Sequence, residues 1–329
     1  MAVRIDGSTV RGGTLGTYII IADYPLPFRP LRICDYKLES SPYNMSSIDA
    51  ATLFSVQGLV AAITGGGSGI GLMMALALEA NGATVYIIGR RLESLEKAAS
   101  QGKHGNIIPM QGDVTKKEDL SSIADKIAKR SGYLNVLIAN SGISGPVAKS
   151  LPKDASLSGW RDNLWSTEPQ EFDQTFSVNT SAVWFSVLAF LPLLKEGNKK
   201  GNVEQKSQVI ATSSIGGFNR VPLAGFAYSA SKAATTFMMK QFATALVPYD
   251  IRSNVIAPGL YPSEMADELI AKMEKSTGLL KSFLPAERTG TIEDMAGAIL
   301  YLTSRAGGYL NGNVIVTDGG RLSVLPSSY

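Results

Sequence analysis

From Gly58 onward, short apolar runs alternate with longer segments of helical character, and this alternation restricts the possible folds more than any other feature. The runs Leu59–Thr64, Thr84–Ile88, Ile107–Met110, Val136–Ala139, Gln208–Thr212, Ser253–Ala257 and Val314–Thr317 read as seven strands. Helix-compatible segments lie between most of them: Ile70–Ala80, Leu92–Ser100, Lys117–Arg130, Gln170–Leu194, Ala227–Val247 and Ile292–Ser304. A strand that is apolar along nearly its whole length must be covered on both faces, as in a parallel sheet flanked by helices. The expected fold is therefore α/β, a doubly wound, seven-stranded parallel sheet with helices on both faces. Such sheets bind ligands outside the carboxyl ends of their strands.

Composition narrows the function classes. Hydrophobic residues make up 45% and charged residues 18%, which suits a large buried core. The net charge is only +3 and no long run of Lys and Arg is present, so nucleic acid is not expected as a main partner. The single cysteine, Cys34, rules out an intramolecular disulfide framework and fits a reducing, cytoplasmic location. The single histidine, His104, stands between Lys103 and Gly105 in an expected loop, where a solvated side chain is its ordinary role. There is no G-x-S-x-G elbow for a serine hydrolase and no Cys/His ligand set for zinc, so no metal site is expected. The longest apolar stretch, Ala182–Leu194, falls short of the roughly 18 residues that argue for a membrane span and contains Pro192. It reads as a buried helix.

Residues 1–50 differ from the rest. They hold Asp-Tyr-Pro-Leu-Pro-Phe-Arg-Pro (23–30) and Ser-Ser-Pro-Tyr-Asn (40–44), without a sustained helical or strand period. A poorly ordered extension is expected there, followed by one catalytic domain over 51–329. The apolar segment 16–21 is too short and too late for a secretory signal, and Asp6, Asp23 and Asp35 argue against a mitochondrial one. Met45 reads as the natural start.

The first expected strand runs into Thr64-Gly65-Gly66-Gly67-Ser68-Gly69-Ile70-Gly71. Glycines permit a tight turn and close approach of backbone to a phosphate, and the following helix directs its N-terminal amides at the anion. A surface turn can use the same residues, but position after the first strand and before a helix favours the phosphate loop. In dinucleotide-binding folds, an acid about 20 residues further on holds the ribose of NAD, whereas Arg accommodates the 2′-phosphate of NADP. Here the second strand ends in Gly89-Arg90-Arg91, with no carboxylate at the turn. That favours NADP(H), with Arg90 the stronger of the two candidates. The alternative is a solvated pair of arginines at a helix start.

Tyr228-Ser229-Ala230-Ser231-Lys232 places Tyr and Lys on one face of a helix. A phenol titrates near pH 10, and a nearby ammonium lowers that value and makes the phenol a usable acid/base. The spacing alone is common in packed helices. Ser213 and Ser214, at the end of Gln208–Thr212, add a hydroxyl at the edge where ligands bind. By themselves these serines also suit a turn or cap.

Taken together, Thr64-Gly-x-x-x-Gly-Ile-Gly71, Gly112-Asp113-Val114, Asn140-Ser141-Gly142, Val178-Asn179, Ser214, Tyr228-x-x-x-Lys232, Pro258-Gly259 and Asp318-Gly319-Gly320 resemble the short-chain dehydrogenase/reductase family. The resemblance covers about Gly58 to Arg321 and implies a Rossmann-type fold. It implies Tyr228 as acid/base, Lys232 as the group that lowers its pKa and binds the nicotinamide ribose, Ser214 as polariser of the substrate oxygen, and Asn179 as holder of a relay water. It implies a cofactor site of Thr64, Gly65, Gly67, Ser68, Gly69, Ile70, Gly71, Arg90, Arg91, Asp113, Val114, Asn140, Gly142, Tyr228, Lys232, Pro258, Gly259, Tyr261 and Ser263. Asp113 would contact the adenine, Asn140 would line the cofactor, and the segment with Tyr261 and Ser263 would close over nicotinamide. A homo-oligomer, dimer or tetramer, is implied as well.

The sequence departs from the family pattern in places. Asn140-Ser141-Gly142 replaces Asn-Ala-Gly, Ser263 replaces Thr, and Ser214 lies one residue further from Tyr228 than is usual. The stretch 145–167 is longer than expected and holds Trp160, Trp165, Lys153, Asp154, Arg161 and Asp162. It is read either as recognising an apolar substrate or as an insertion folded onto the protein's own surface. The substrate lid is expected over 260–285, where Met265, Leu269, Met273, Leu279, Leu280, Phe283 and Leu284 offer an apolar lining or simply pack on the core. The leading expectation is an NADP(H)-dependent carbonyl reductase or alcohol dehydrogenase acting on a small, largely apolar molecule. The alternatives are an NAD-dependent alcohol dehydrogenase and a nucleotide-binding regulatory protein without turnover.

Overall fold

The computed structural model describes residues 48–147, 154–267, 270–271 and 280–329. Met45, the extension over 1–44, Lys153 of the long stretch, and Leu269, Met273 and Leu279 of the expected lid lie outside the described residues. After a short helix α1 (Ala50–Leu53), the chain runs β1 (Val60–Thr64), α2 (Gly69–Ala80), β2 (Thr84–Gly89), α3 (Leu92–Ala99), β3 (Ile107–Gln111), α4 (Lys117–Arg130) and β4 (Val136–Ala139). It continues through α5 (Leu157–Trp165), α6 (Pro169–Phe176), α7 (Ala182–Lys200), β5 (Gln208–Thr212), α8 (Phe226–Ala245), β6 (Arg252–Pro258), α9 (Ile292–Thr303) and β7 (Val314–Thr317).

The seven strands form one sheet in the order β3-β2-β1-β4-β5-β6-β7, and every pairing is parallel. Alternate residues feed opposite faces, as the two-residue period of a strand requires. Ala62, Tyr86, Leu137 and Val209 meet Ile123, Val187, Phe190 and Met239 from α4, α7 and α8. Ala61, Val85, Ile138 and Ile210 meet Met74, Leu78, Leu95 and Ile299 from α2, α3 and α9. The chain reverses direction across the sheet between β3 and β4, so β1 and β4 become neighbours. Their carboxyl ends open the crevice where such sheets bind ligands.

The region expected as a single helix, Gln170–Leu194, is built differently. Residues Pro169–Lys200 are helical throughout, but a π-helical turn at Ser177–Ser181 separates α6 from α7. The helix also passes Pro192, because Leu193, Leu194 and Gly197 beyond it are still buried against the sheet side. At 32 residues the run is long and apolar enough to cross a membrane by length and composition. Val183, Val187, Phe190 and Leu194 nevertheless sit in one of the two cores, which is the pattern of a helix covering a sheet.

In the long stretch, α5 is capped by Ser156, whose hydroxyl accepts from the Gly159 amide at 3.1 Å. No residue of α5 is buried, and Leu157, Trp160 and Trp165 are exposed by 81%, 49% and 76%. This exposure counts against the reading of an insertion folded onto the protein's own surface.

The loop leading into β3 is held by Glu79, a fully buried carboxylate near the end of α2. It accepts backbone N–H groups from Lys103 (2.7 Å), His104 (2.6 Å) and Asn106 (3.1 Å), while the His104 side chain stays exposed as expected. Burial pushes the Glu79 carboxyl upward, but the three amides outweigh it and hold the group below the usual carboxylate range. A depressed folded-state value contributes stability above about pH 4.5, and the contribution is lost as pH falls through that lower value. Glu79→Gln should therefore lower the Tm at pH 7, with the gap closing in a Tm series taken to acid. A gap independent of pH would contradict this role.

Candidate active site

The phosphate loop follows from close backbone packing. Gly65 and Gly69 have φ of 66° and 50°, in the left-handed region where a side chain is disfavoured. A Cβ on Gly71 would run into the Gly65 carbonyl oxygen, and one on Gly66 would meet the Ile87 side chain of β2 at 2.6 Å. Ser68, the N-cap of α2, makes no side-chain cap bond. The first amides of that helix are thus left for an anion, where the helix dipole favours negative charge. Residues Gly65 to Gly71 fit the phosphates of a dinucleotide.

Thr64 and Asn140 lock β1 to β4 beside this loop. The Thr64 hydroxyl accepts from the amides of Asn140 (2.9 Å) and Ser141 (3.0 Å). The Asn140 amide nitrogen donates to the carbonyls of Thr64 (3.1 Å) and Gly65 (3.2 Å). Both side chains thus shape the crevice from beneath.

At the end of β2, Arg90 and Arg91 diverge. Arg90 is exposed and borders an open groove of about 470 Å³ with Gln111, Gly112, Asp113 and Lys116. Arg91 stands at the N-cap position of α3, without a side-chain cap bond, and pairs with Glu264 at 2.9 Å. One Asp113 carboxylate oxygen accepts from the backbone and hydroxyl of Thr115, at 3.0 and 2.7 Å. Burial raises the Asp113 value, but those bonds and the charge of Arg90 hold the carboxyl below its usual range. Val114 is buried beneath it.

The catalytic candidates converge at the carboxyl ends of β4 and β5. Tyr228 is half-buried near the start of α8. Burial pushes its phenol upward, and a hydrogen bond with Ser214 pulls it partly back. This is opposite to the lowering expected from Lys232, whose ammonium nitrogen lies 5.8 Å from the Tyr228 ring centre. Desolvation is the largest influence here, so the phenol is held as a neutral acid. Lys232 is buried, donates to the Thr212 carbonyl at 2.8 Å, and is lowered by burial to about 8.

The structure separates the two adjacent serines. Ser213 is buried and bonds the Lys232 carbonyl (2.9 Å) and the Thr236 hydroxyl (2.7 Å), which anchors α8 to β5. Ser214 faces Tyr228 and accepts the Gly216 amide at 3.0 Å. Ser214 is followed by a 3₁₀ turn over Ile215–Gly217.

Asn179 sits in the π-helical turn and is fully buried. Its carboxamide accepts from the Ile143 amide (2.8 Å) and donates to the Ile143 carbonyl (2.9 Å) and the Ser231 hydroxyl (3.0 Å). Its own carbonyl, displaced from regular helix pairing, accepts from Thr235 at 2.7 Å. Gly142 lies in the gap, where a Cβ would come within 3.2 Å of Asn179 and 3.3 Å of Lys232. Ile143, Thr212, Ser231 and Thr235 thus belong to the site although no sequence motif assigned them a role. For Ser231, its place between Tyr228 and Lys232 was the available signal.

The β6 end also joins the crevice. A Cβ on Gly259 would meet the Asp318 backbone at 2.7 Å, so the Pro258-Gly259 turn packs tightly on the residue after β7. Ser263 reaches the phosphate loop, its Cβ 3.0 Å from where one on Gly69 would be. Tyr261, two residues after Gly259, has its ring buried in the core cluster that holds Met295, because Gly290 leaves room for it. In the lid segment, Leu284 is buried, whereas Met265 and Leu280 are exposed. Among the described residues no cluster of His, Cys, Asp and Glu can hold a metal.

Comparisons with known proteins agree with this architecture. A family model described as enoyl-(acyl carrier protein) reductase matches residues 65–321. Short-chain dehydrogenase/reductase PhomF of Diaporthe leptostromiformis is 58% identical over 286 residues, covering 86% of this chain and 98% of that protein. Short-chain dehydrogenase/reductase VdtF of Byssochlamys spectabilis is 46% identical over 306 residues, covering 86% and 99%. The Pseudomonas aeruginosa RhlG/NADP active-site complex superposes with a TM-score of 0.69 at 31% identity, covering 82% of this chain and 98% of that one.

The buried ammonium has a stability consequence. With its folded-state value lowered from 10.5 to about 8, Lys232 loses a proton on folding at pH values between the two. Its burial therefore costs stability below about pH 8, and the cost fades as pH rises toward 10.5. Lys232→Met should raise the Tm at pH 7, with the gain shrinking across that window. A lower Tm at pH 7 would show that the ammonium is fully compensated inside the fold.

Proposed function

Because the chain belongs to the short-chain dehydrogenase/reductase family of oxidoreductases, we propose that it transfers a hydride between NADP(H) and a ketone or secondary alcohol of a small, largely apolar molecule, with Tyr228 as the general acid/base. The carrying observation is the cluster of Tyr228, Ser214 and the buried Lys232 at the carboxyl edge of the sheet. When bound, the nicotinamide cofactor supplies the hydride. Residues Gly65 to Gly71 and the α2 amides hold its phosphates, and Arg90 and Arg91 receive the 2′-phosphate that distinguishes NADP from NAD. Asp113 and Val114 flank the adenosine. Asn140, Gly142, Pro258, Gly259 and Ser263 shape the walls around it.

In the reductive direction Tyr228 would donate its phenolic proton to the carbonyl oxygen of the substrate. Ser214 hydrogen-bonds the same oxygen and stabilises the developing negative charge. The phenol of Tyr228 is neutral at pH 7, which is the form this step requires. Lys232 would hold the ribose hydroxyls of the cofactor and stabilise the phenolate left on Tyr228. Asn179 fixes Ile143 and Ser231 around that ammonium, which makes it a positioning residue first. The RhlG relative is known in complex with NADP, which supports the cofactor assignment. Exposed Trp184, Leu188 and Phe237 on α7 and α8 suit a homo-oligomer contact.

Tyr228→Phe should keep cofactor binding within about twofold while turnover falls by at least ~10³, the scale of a lost general acid. Fluorescence titration and ketone reduction assays measure the two, and retained turnover would overturn the mechanism. NADPH should bind the parent protein at least ~10-fold more tightly than NADH, and Arg90→Ala should narrow that ratio. Equal affinities in the parent would refute the cofactor assignment.

A further inference from the structure

The two arginines assigned to the 2′-phosphate are not equally free. Among the described residues the Arg90 guanidinium makes no ion pair, and it borders the open groove beside Asp113. Arg91 is engaged: one guanidinium nitrogen lies 2.9 Å from each carboxylate oxygen of Glu264. Glu264 follows Ser263, which packs on Gly69 of the phosphate loop. At the other end, a Cβ on Gly67 would lie 3.2 Å from Leu95 in α3, the helix that begins directly after Arg91. The Arg91–Glu264 pair therefore spans the phosphate loop, from the N-terminus of α3 to the turn that opens the lid segment.

Given the assignment of both arginines to the 2′-phosphate, we infer that Glu264 sets the discrimination between NADP(H) and NAD(H) by competing for Arg91. The side chains of Arg91 and Glu264 are 63% and 64% exposed, and a carboxylate–guanidinium pair in that setting is held weakly. A phosphate carries more charge than a carboxylate and matches the guanidinium fork, so it takes Arg91 from Glu264. NADP(H) thus binds at the expense of the pair, and the 263–264 turn is released from α3. The ribose 2′-hydroxyl of NAD(H) has no charge with which to displace a carboxylate, so the pair persists under that cofactor. Glu264 accordingly weakens NADP(H) binding through this competition for Arg91 and leaves NAD(H) binding unchanged. It is a specificity-determining residue placed on the lid rather than on the strand that carries the arginines.

The test is direct binding to the full-length parent, E264Q, R91A and the R91A/E264Q double variant. NADPH and NADH are titrated by fluorescence, and adenosine 2′,5′-bisphosphate and 5′-AMP by calorimetry. E264Q should tighten NADPH and adenosine 2′,5′-bisphosphate by about two- to fivefold, leaving NADH and 5′-AMP unchanged. The gain should shrink at high salt and vanish when Arg91 is already Ala. Unchanged affinities in E264Q, with the parent's NADPH preference intact, would overturn the role of Glu264 alone. Equal weakening of NADPH and NADH in E264Q would also overturn it, since the pair would then be a strap over either dinucleotide. Equal affinity of the parent for NADPH and NADH would overturn the cofactor assignment and this role with it.

Discussion

Keeping an ammonium inside the protein at the carboxyl edge of β5 is the constraint on which the rest of the site depends. Lys232 is buried with one backbone acceptor, the Thr212 carbonyl, and burial has already drawn its value down to about 8. Isolated buried charge is unfavourable, so the surroundings must be polar and fixed. The π-helical turn supplies part of that framework by bringing Asn179 against Ile143 and Ser231. Ser213 and Thr236 supply another part by tying the Lys232 carbonyl to β5. Gly142 keeps the space open, since any side chain there would fall on Asn179 and Lys232.

The phosphate loop follows a different physical rule. Its work is done by backbone: positive φ at Gly65 and Gly69, and α2 amides without a side-chain cap. Thr64 and Asn140 join this loop to β4 by four hydrogen bonds across the switch point of the sheet. The glycine loop and the Tyr228–Lys232 cluster, the two halves of the proposed site, are therefore fixed relative to each other by the β1–β4 pairing.

Much of this was legible in the sequence because it rests on local pattern. Seven apolar runs became seven parallel strands, with ends shifted by a residue at most, since buried strands carry a continuous signal. Gly65 to Gly71 and Tyr228 to Lys232 were readable because their geometry lies within one turn or helix. What escaped notice depends on partners distant in sequence. The π-helical turn at Asn179 is stabilised by Thr235, 56 residues on, and periodicity cannot register it. The burial of the Tyr261 ring depends on Gly290, remote in the chain, which opens the core to it. The upward push of burial on Tyr228 was not legible either, because spacing reports proximity to Lys232 and not burial. The pairing of Arg91 with Glu264 was not legible because the two lie 173 residues apart.

The account turns on Tyr228 being held as a neutral acid by desolvation, with Ser214 as the opposing influence. The most direct test is a carbon-13 NMR titration of tyrosine-labelled, cofactor-free protein, with Tyr228 assigned by its absence in Tyr228→Phe. The phenol should titrate above its ordinary value of 10, and higher still in Ser214→Ala. A titration below 10 in the parent would contradict the account and make the charge of Lys232, rather than burial, the dominant influence on the site.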